Sequence, residues 1–322
     1  MSAPGSVIGS AIGIDLGGTN ARVALVSAPG KIERIAKVKL SDRSPQAVAD
    51  LLAQQVSTLL REASRETLPV GVGMAAQMLR GTGRVALAPN LGWRDVPFAA
   101  MLHERLGVTP SLMNDLGAAA WGEACAGAAR GERDVILVFV GTGVGSALIF
   151  DGRLYTGGGG VAGEVGHMKV VPRGRRCGCG ELGCLEAYVS GRNLEARIRE
   201  RLEGGAQTRL TAGAGAWDLE QAAQQGDGLA RELWEEAAEL LAVALGNLCT
   251  ALNPRRLILG GGVLLGCPGL REKVKTGLFD YALKVSQVNL QVLEAQLGDD
   301  AGVIGSALHA LSPEGLPAQG TA

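Results

Sequence analysis

The densest chemistry in the chain is Glu164-x-x-His167, followed by Cys177-Gly-Cys179-x4-Cys184 and then Glu186. Three thiolates and one imidazole are the donor set of a closed, tetrahedral Cys3His zinc site, and with no open coordination position such a metal is structural. Gly178, Gly180 and Gly183 interleave the thiols and permit a tight knuckle-like loop. The chain has six cysteines, and their clustering speaks for metal rather than for a disulfide framework.

A second group of residues suits an anion. Asp15-Leu-Gly-Gly-Thr-Asn20 places a carboxylate at the end of an apolar run and puts Gly17 and Gly18 in the turn that follows, where backbone N–H groups can approach a phosphate closely. Gly141-Thr142-Gly143 repeats the arrangement, and Gly260-Gly261-Gly262 follows a third apolar run. Three such turns point to a phosphate and nucleotide cleft rather than to unrelated hairpins. No Gly-x4-Gly-Lys-Ser/Thr sequence occurs, which excludes a P-loop, and Gly158-x-Gly160-x-x-Gly163 is not followed by a helix start. Asn114-Asp115 comes directly after an apolar run. Asp115 is then either the cap of the helix that follows or a carboxylate placed to take a proton from a substrate hydroxyl.

These residues need rigid elements beneath them. Ile12–Leu16 and Arg22–Val26 read as strands around the first glycine turn, and 135–140 and 146–150 as strands around the second. Ser44-Pro45 caps and starts a helix that carries Val48, Leu51, Leu52, Val56, Leu59 and Leu60 on one face. Further strands are expected at 70–74, 84–88, 110–113 and 256–259, with helices at 97–106, 116–129 and 229–252. The alternation predicts an α/β protein with mixed sheets and helices outside, and the repeated hairpin predicts two similar domains. They are expected at residues 1–117 and 118–303, with a zinc-binding insert at 157–186 and a terminal helix at 304–322 packed back on the first.

The chain is 322 residues with 47% hydrophobic and 20% charged residues, enough for two packed cores. A net charge of -1 supplies no field to hold nucleic acid or an anionic membrane. Residues 135–150 are too short and glycine-broken for a bilayer span, and residues 1–12 lack a basic, apolar leader, so a cytoplasmic protein is expected. Gly accounts for 49 residues, which makes close backbone approach a recurring theme.

The run from Gly159 through Glu164 and His167 to Cys184-Leu-Glu186 resembles the ROK family of sugar kinases and repressors, bacterial glucokinases above all. The resemblance extends through Asp15-Leu-Gly-Gly-Thr-Asn20, Pro89-Asn90-Leu-Gly-Trp93, Asn114-Asp115, Gly141-Thr-Gly-Val-Gly145, Leu259-Gly-Gly-Gly-Val263 and Asp300-Ala-Gly-Val-Ile-Gly305. It implies an actin/hexokinase-like (ribonuclease H-like) ATPase fold, with ATP, Mg²⁺ and a hexose, most of all glucose, in the cleft. By motif position Asp115 corresponds to the catalytic base, and Asn90, Asn114, Asp115, Glu164, His167 and Glu186 to sugar ligands. Asp15, Gly17, Gly18, Thr19, Asn20, Gly141, Thr142, Gly143, Gly260, Gly261 and Gly262 fall where the family holds the nucleotide. His167, Cys177, Cys179 and Cys184 fall on its zinc ligands. The likeness also implies a homo-oligomer, dimer or tetramer. One departure stands out, since Met74-Ala75-Ala76-Gln77 replaces a Pro-Gly step that lines the sugar in the family. Kinases for N-acetylmannosamine, N-acetylglucosamine, mannose or fructose share these motifs, as do polyphosphate-using enzymes and sugar-responsive regulators. A regulator of that kind would need a DNA-binding segment ahead of Ile12. A side chain at Gly18 or Gly143 is expected to obstruct the phosphate donor and leave sugar affinity unchanged.

Overall fold

The computed structural model describes residues 9–316. Residues 1–8 and 317–322, which include most of the stretch read for a leader and the end of the expected terminal helix, lie outside the described residues. The chain forms two compact units. One runs to Val135 and takes in Ala147–Ala162 and the chain from Ala295 on; the other comprises Ile136–Ser146 and Gly163–Glu294.

The first unit is built on strands β1 (Ser10–Leu16), β2 (Asn20–Ser27), β3 (Lys31–Lys39), β4 (Val70–Met74), β5 (Gln77–Leu79), β6 (Arg84–Ala88), β7 (Trp93–Val96) and β8 (Ser111–Asn114). Its main sheet has the order β3-β2-β1-β4-β8, and β5-β6-β7 form a small sheet. Strand β1 pairs antiparallel with β2 and parallel with β4, so the sheet is mixed. Central β4, with all five residues buried, reads as an unbroken apolar run because both of its faces are covered. Edge strand β3 alternates only between half-buried and exposed residues. Helix α1 (Pro45–Glu62) starts where expected, with the Ser44 side chain accepting from Ala47 N and Pro45 in the first turn. Helices α2 (Phe98–Leu106) and α3 (Asp115–Ala126) follow β7 and β8.

The last helix, Ala301–Leu311, returns to the first sheet, and glycine makes its seat. A Cβ on Gly13 of β1 would lie 1.9 Å from the Val303 carbonyl oxygen, and one on Gly71 of β4 would lie 1.9 Å from that of Ser306. On the other side, a Cβ on Gly305 would lie 1.7 Å from the Ala118 carbonyl oxygen of α3. The helix therefore packs backbone to backbone on two strands and on α3. Helix α3 is tied in further by Glu123, which is fully buried. Its Oε1 accepts from Gln296 N and Leu297 N, both at 2.8 Å, and its Oε2 from Ala128 N at 2.7 Å.

The second sheet consists of β9 (Val135–Val140), β10 (Val144–Phe150), β11 (Arg153–Leu154), β12 (Arg256–Gly260) and β13 (Gln291–Glu294), in the order β11-β10-β9-β12-β13. The order matches that of the first sheet: an antiparallel edge pair, β10 with β11, and a parallel pair at the other edge, β12 with β13. The expected α/β architecture with a repeated hairpin is what the chain adopts. In the second unit, the helix Gly228–Leu252 is capped by Asp227, which accepts from Ala230 N, and packs on the helix Pro268–Tyr281 across Gly246. Among the described residues no helix is long and apolar enough to cross a membrane.

The seam yields a stability test. Gly305→Ala must displace backbone, so it should cost about 3 kcal/mol or more, the upper end of overpacking effects. Gly213→Ala, with nothing within 4 Å of the added carbon, should change stability by less than about 0.5 kcal/mol. Urea midpoints of the two variants check this, and equal midpoints would remove the seam from the account.

Candidate active site and metal cluster

In the first unit, the Gly17–Asn20 turn is closed by Gly17 N donating to Asn20 O at 2.9 Å, and Leu40 N donates to Thr19 O. Thr19 and Asn20 stand exposed at its tip. Asp15 lies just before the turn on β1, and Asp115 opens α3 directly after β8, two strands away in the same sheet. The cap of α3 is Asn114, whose side chain accepts from Leu116 N at 2.9 Å. Asp115 is thus a first-turn residue and is not needed as the cap. Asn114 is held in turn by donating its Nδ2 to Ala76 O at 3.3 Å, within the segment where the sequence departs from its family.

Both carboxylates are perturbed. Burial first, and then the charge of Asp115, push Asp15 up to about 6, with Arg22 opposing. Burial also raises Asp115, while hydrogen bonds from the Leu116 N–H and from Asn114 pull the other way. Two neighbouring carboxylates that resist ionisation together form a site that gains by taking up a proton or a cation.

Asn90 sits in the turn between β6 and β7 and touches the first glycine turn. A Cβ on Gly18 would lie 2.9 Å from Asn90 Cβ and 3.0 Å from its carbonyl oxygen. The second glycine turn behaves alike. It is closed by Gly141 N donating to Gly143 O, and a Cβ on Gly143 would lie 2.8 Å from Glu186 Oε2. That same oxygen accepts from Val144 N at 2.8 Å. Both glycines therefore pack on residues assigned to the sugar, and the expectation that a side chain there would disturb the donor alone does not fit this packing. Gly260 ends β12 against the Phe139 ring, Gly261 lies in the left-handed region (φ 87°) beside Val140 O, and Gly262 starts a short helix. The turns at 17–20 and 260–262 belong to different units, as do Asn90, Asn114 and Asp115 on one side and Glu164, His167 and Glu186 on the other.

The metal ligands come together within the second unit. One donor atom from each of His167, Cys177, Cys179 and Cys184 lies within 4.8 Å of the others. Cys179 Sγ and Cys184 Sγ are 3.7 Å apart, and Cys177 Sγ is 3.7 Å from His167 Nδ1. Ligands on a tetrahedral zinc, at about 2.3 Å for sulfur and 2.0 Å for nitrogen, stand about 3.5–3.8 Å from one another, so the donors fit the ion in type and spacing. The Lys169 ammonium donates to Cys184 Sγ at 3.0 Å and offsets the thiolate charge. His167 turns Nδ1 to the sulfurs, while its Nε2 lies 4.0 Å from Glu164 Oε2. A metal on Nδ1 fixes the proton on Nε2. Glu186 joins this cluster to the second glycine turn, since its Oε1 is 3.8 Å from Cys177 Sγ and its Oε2 holds Val144 N. No motif spacing foretold that link.

Arg22 was also missed. It bonds the Asp299 carbonyl and the Asp300 carboxylate and so fixes the start of the last helix beside Asp15. The only clue was its place on the strand after the first turn.

A sequence model of the ROK family matches residues 11–312. The glucokinase of Streptomyces coelicolor is 34% identical over 320 residues, 95% of this chain and 99% of its own length. An N-acetylmannosamine kinase of Escherichia coli O127:H6 is 33% identical over 303 residues, 93% of this chain and 97% of its own. A ROK family glucokinase from Streptomyces griseus, solved in complex with glucose and AMPPNP, superposes with a TM-score of 0.71 at 32% identity, covering 93% of this chain and 98% of that one.

Three outcomes are expected. Because Asp15 is raised from 3.8 to about 6, the folded state binds its proton more tightly than the unfolded state, so its contribution is fully present below pH 3.8 and is lost as pH rises through 6. Asp15→Asn should then stabilise the ligand-free protein at pH 8 by up to about 3 kcal/mol, and the gain should vanish near pH 4, read as urea midpoints at both values. Gly143→Ala should raise the KM for hexose as well as for ATP; a change confined to ATP would separate Glu186 from the sugar. Cys179→Ser should lose zinc in elemental analysis and lower both stability and hexose affinity, since the loop carrying Glu164, His167 and Glu186 loses its anchor. A zinc-depleted variant with unchanged hexose affinity would disprove that coupling.

Proposed function

The chain belongs to the ROK family, and from that premise we propose that it is an ATP-dependent hexose kinase that makes glucose 6-phosphate from glucose. The observation that carries the reading is the pair Asp15 and Asp115, two perturbed carboxylates on one sheet beside a turn of exposed backbone and hydroxyl groups. Asp115 is the base: it accepts the proton of the sugar 6-hydroxyl as that oxygen bonds to the γ-phosphorus of ATP and ADP departs. A carboxyl raised above its usual range keeps the proton it takes, which suits this role. Asn90, Asn114, Glu164, Glu186 and His167 Nε2 are the groups assigned on this reading to the remaining hydroxyls. The glycine turns at Gly17–Asn20, Gly141–Gly143 and Gly260–Gly262 receive the nucleotide. Mg²⁺, when bound with ATP, would neutralise phosphate charge, and on this reading Asp15 is the carboxylate assigned to it. His167, Cys177, Cys179 and Cys184 would hold zinc, which would anchor the Glu164–Glu186 loop.

Glucose stands first because glucokinases are among the relatives that match over nearly the whole chain. The N-acetylmannosamine kinase is almost as similar, so identity alone does not rank the two sugars. A coupled assay of the purified protein with ATP and Mg²⁺ against glucose, mannose, fructose, N-acetylmannosamine and N-acetylglucosamine decides, with the highest kcat/KM expected for glucose. Asp115→Asn should lower kcat by about 10² or more while glucose still binds in calorimetry. A variant with kcat near that of the parent would remove Asp115 from the chemistry.

A further inference from the structure

A charged region not yet used lies on β2 and β3. A cavity of about 600 Å³ opens beside Asp15, and Asn20, Arg22, Lys37, Lys39 and Asp299 share its lining. The strand register explains how they meet. Asp15 pairs with Arg22, Arg22 with Lys37, and Asn20 with Lys39, so their side chains stand on one face of the first sheet. Arg22 is already bonded to the Asp299 carbonyl and the Asp300 carboxylate. Lys37 and Lys39 are exposed, and neither makes an ion pair with any described residue.

Two cations directly opposite each other on antiparallel strands, Arg22 and Lys37, are an unfavourable pairing. An edge strand needs lysines to discourage aggregation, but that purpose is served equally by Lys31 at its other end. What sets Lys37 and Lys39 apart is that they flank a concavity that starts at the Gly17–Asn20 turn. Residues two apart on a strand are about 6.5–7 Å apart, a spacing that lets two ammonium groups hold successive groups of an extended anion.

We infer that Lys37 and Lys39, with Asn20, form a subsite for the phosphate chain of the donor. The inference rests on the kinase reading given above, in which the Gly17–Asn20 turn faces that donor. One chemistry, a chain of phosphates, has two sources here: the triphosphate of a nucleotide, or inorganic polyphosphate.

Calorimetric titration separates them. Magnesium ATP and magnesium tripolyphosphate are titrated at low salt into the parent protein, the double variant Lys37→Met with Lys39→Met, the double variant Lys37→Arg with Lys39→Arg, and Lys31→Met. The methionine pair should weaken binding by about tenfold or more, as expected when two phosphate-facing cations are removed. The arginine pair should keep affinity near that of the parent, and Lys31→Met should change it by less than about twofold. Loss for ATP alone assigns the subsite to nucleotide, loss for tripolyphosphate alone assigns it to inorganic polyphosphate, and equal loss assigns it to the shared chain. The inference is overturned if the methionine pair binds both probes as the parent does, if Lys31→Met is as damaging, or if the parent binds neither probe. The hexose assay runs beside it. A parent inactive on every hexose that still shows lysine-dependent binding would overturn the kinase reading and leave the subsite standing.

Discussion

The first unit depends on how closely a helix backbone can approach a sheet. With Gly13, Gly71 and Gly305 at the contacts, the helix Ala301–Leu311 lies where any side chain would collide with a carbonyl oxygen. That approach fixes more than packing. The helix begins just after Asp299 and Asp300, both bonded by Arg22, and Gly302 brings it against Asp15. Glu123 holds the segment leading into it by two backbone N–H groups from the far side. The surroundings of Asp15, and through them its raised pKa, are consequences of a seam made by residues that carry no chemistry.

In the second unit the corresponding joint is a single side chain. Glu186 lies with one carboxylate oxygen toward the cysteine cluster and the other on the backbone of the second glycine turn. Gly143 is glycine because Glu186 occupies the space a side chain would need.

What could be read from the sequence was what is local. The Ser44-Pro45 start, both glycine hairpins and the Cys3His cluster depend on residues near one another in the chain, and each appears where its spacing placed it. Asp115 was ambiguous because a polar residue between a strand and a helix is a cap or a ligand with equal ease; the cap position itself is held by Asn114, one residue earlier, and Leu116 N donates to both side chains. Strand β3 escaped notice since its alternation is broken by three exposed residues, Glu33-Arg34-Ile35, near the register shift between Leu25 and Val26. Glu123 looked like an ordinary helix residue, as its partners at 296 and 297 are distant in sequence. The last helix was expected at 304–322 and is Ala301–Leu311, with 317–322 outside the described residues.

The charges around the first glycine turn limit what kind of ligand would relieve them. A sheet arranged for stability alone would set Lys37 opposite a carboxylate and would not place Asp15 within reach of Asp115. Instead, like charges are neighbours on both sides: Arg22 with Lys37, and Asp15 with Asp115. Arg22 relieves both only in part, since it opposes the shift of Asp15 and is itself bonded to the Asp300 carboxylate. A ligand that relieves both must carry positive and negative charge together, with the cation toward the carboxylates and the anion toward the lysines. Phosphate chains bound to a divalent metal have that character. A neutral sugar has neither charge, so on the kinase reading proposed above the electrostatics of this turn go with the donor and the sugar is recognised by hydrogen bonds.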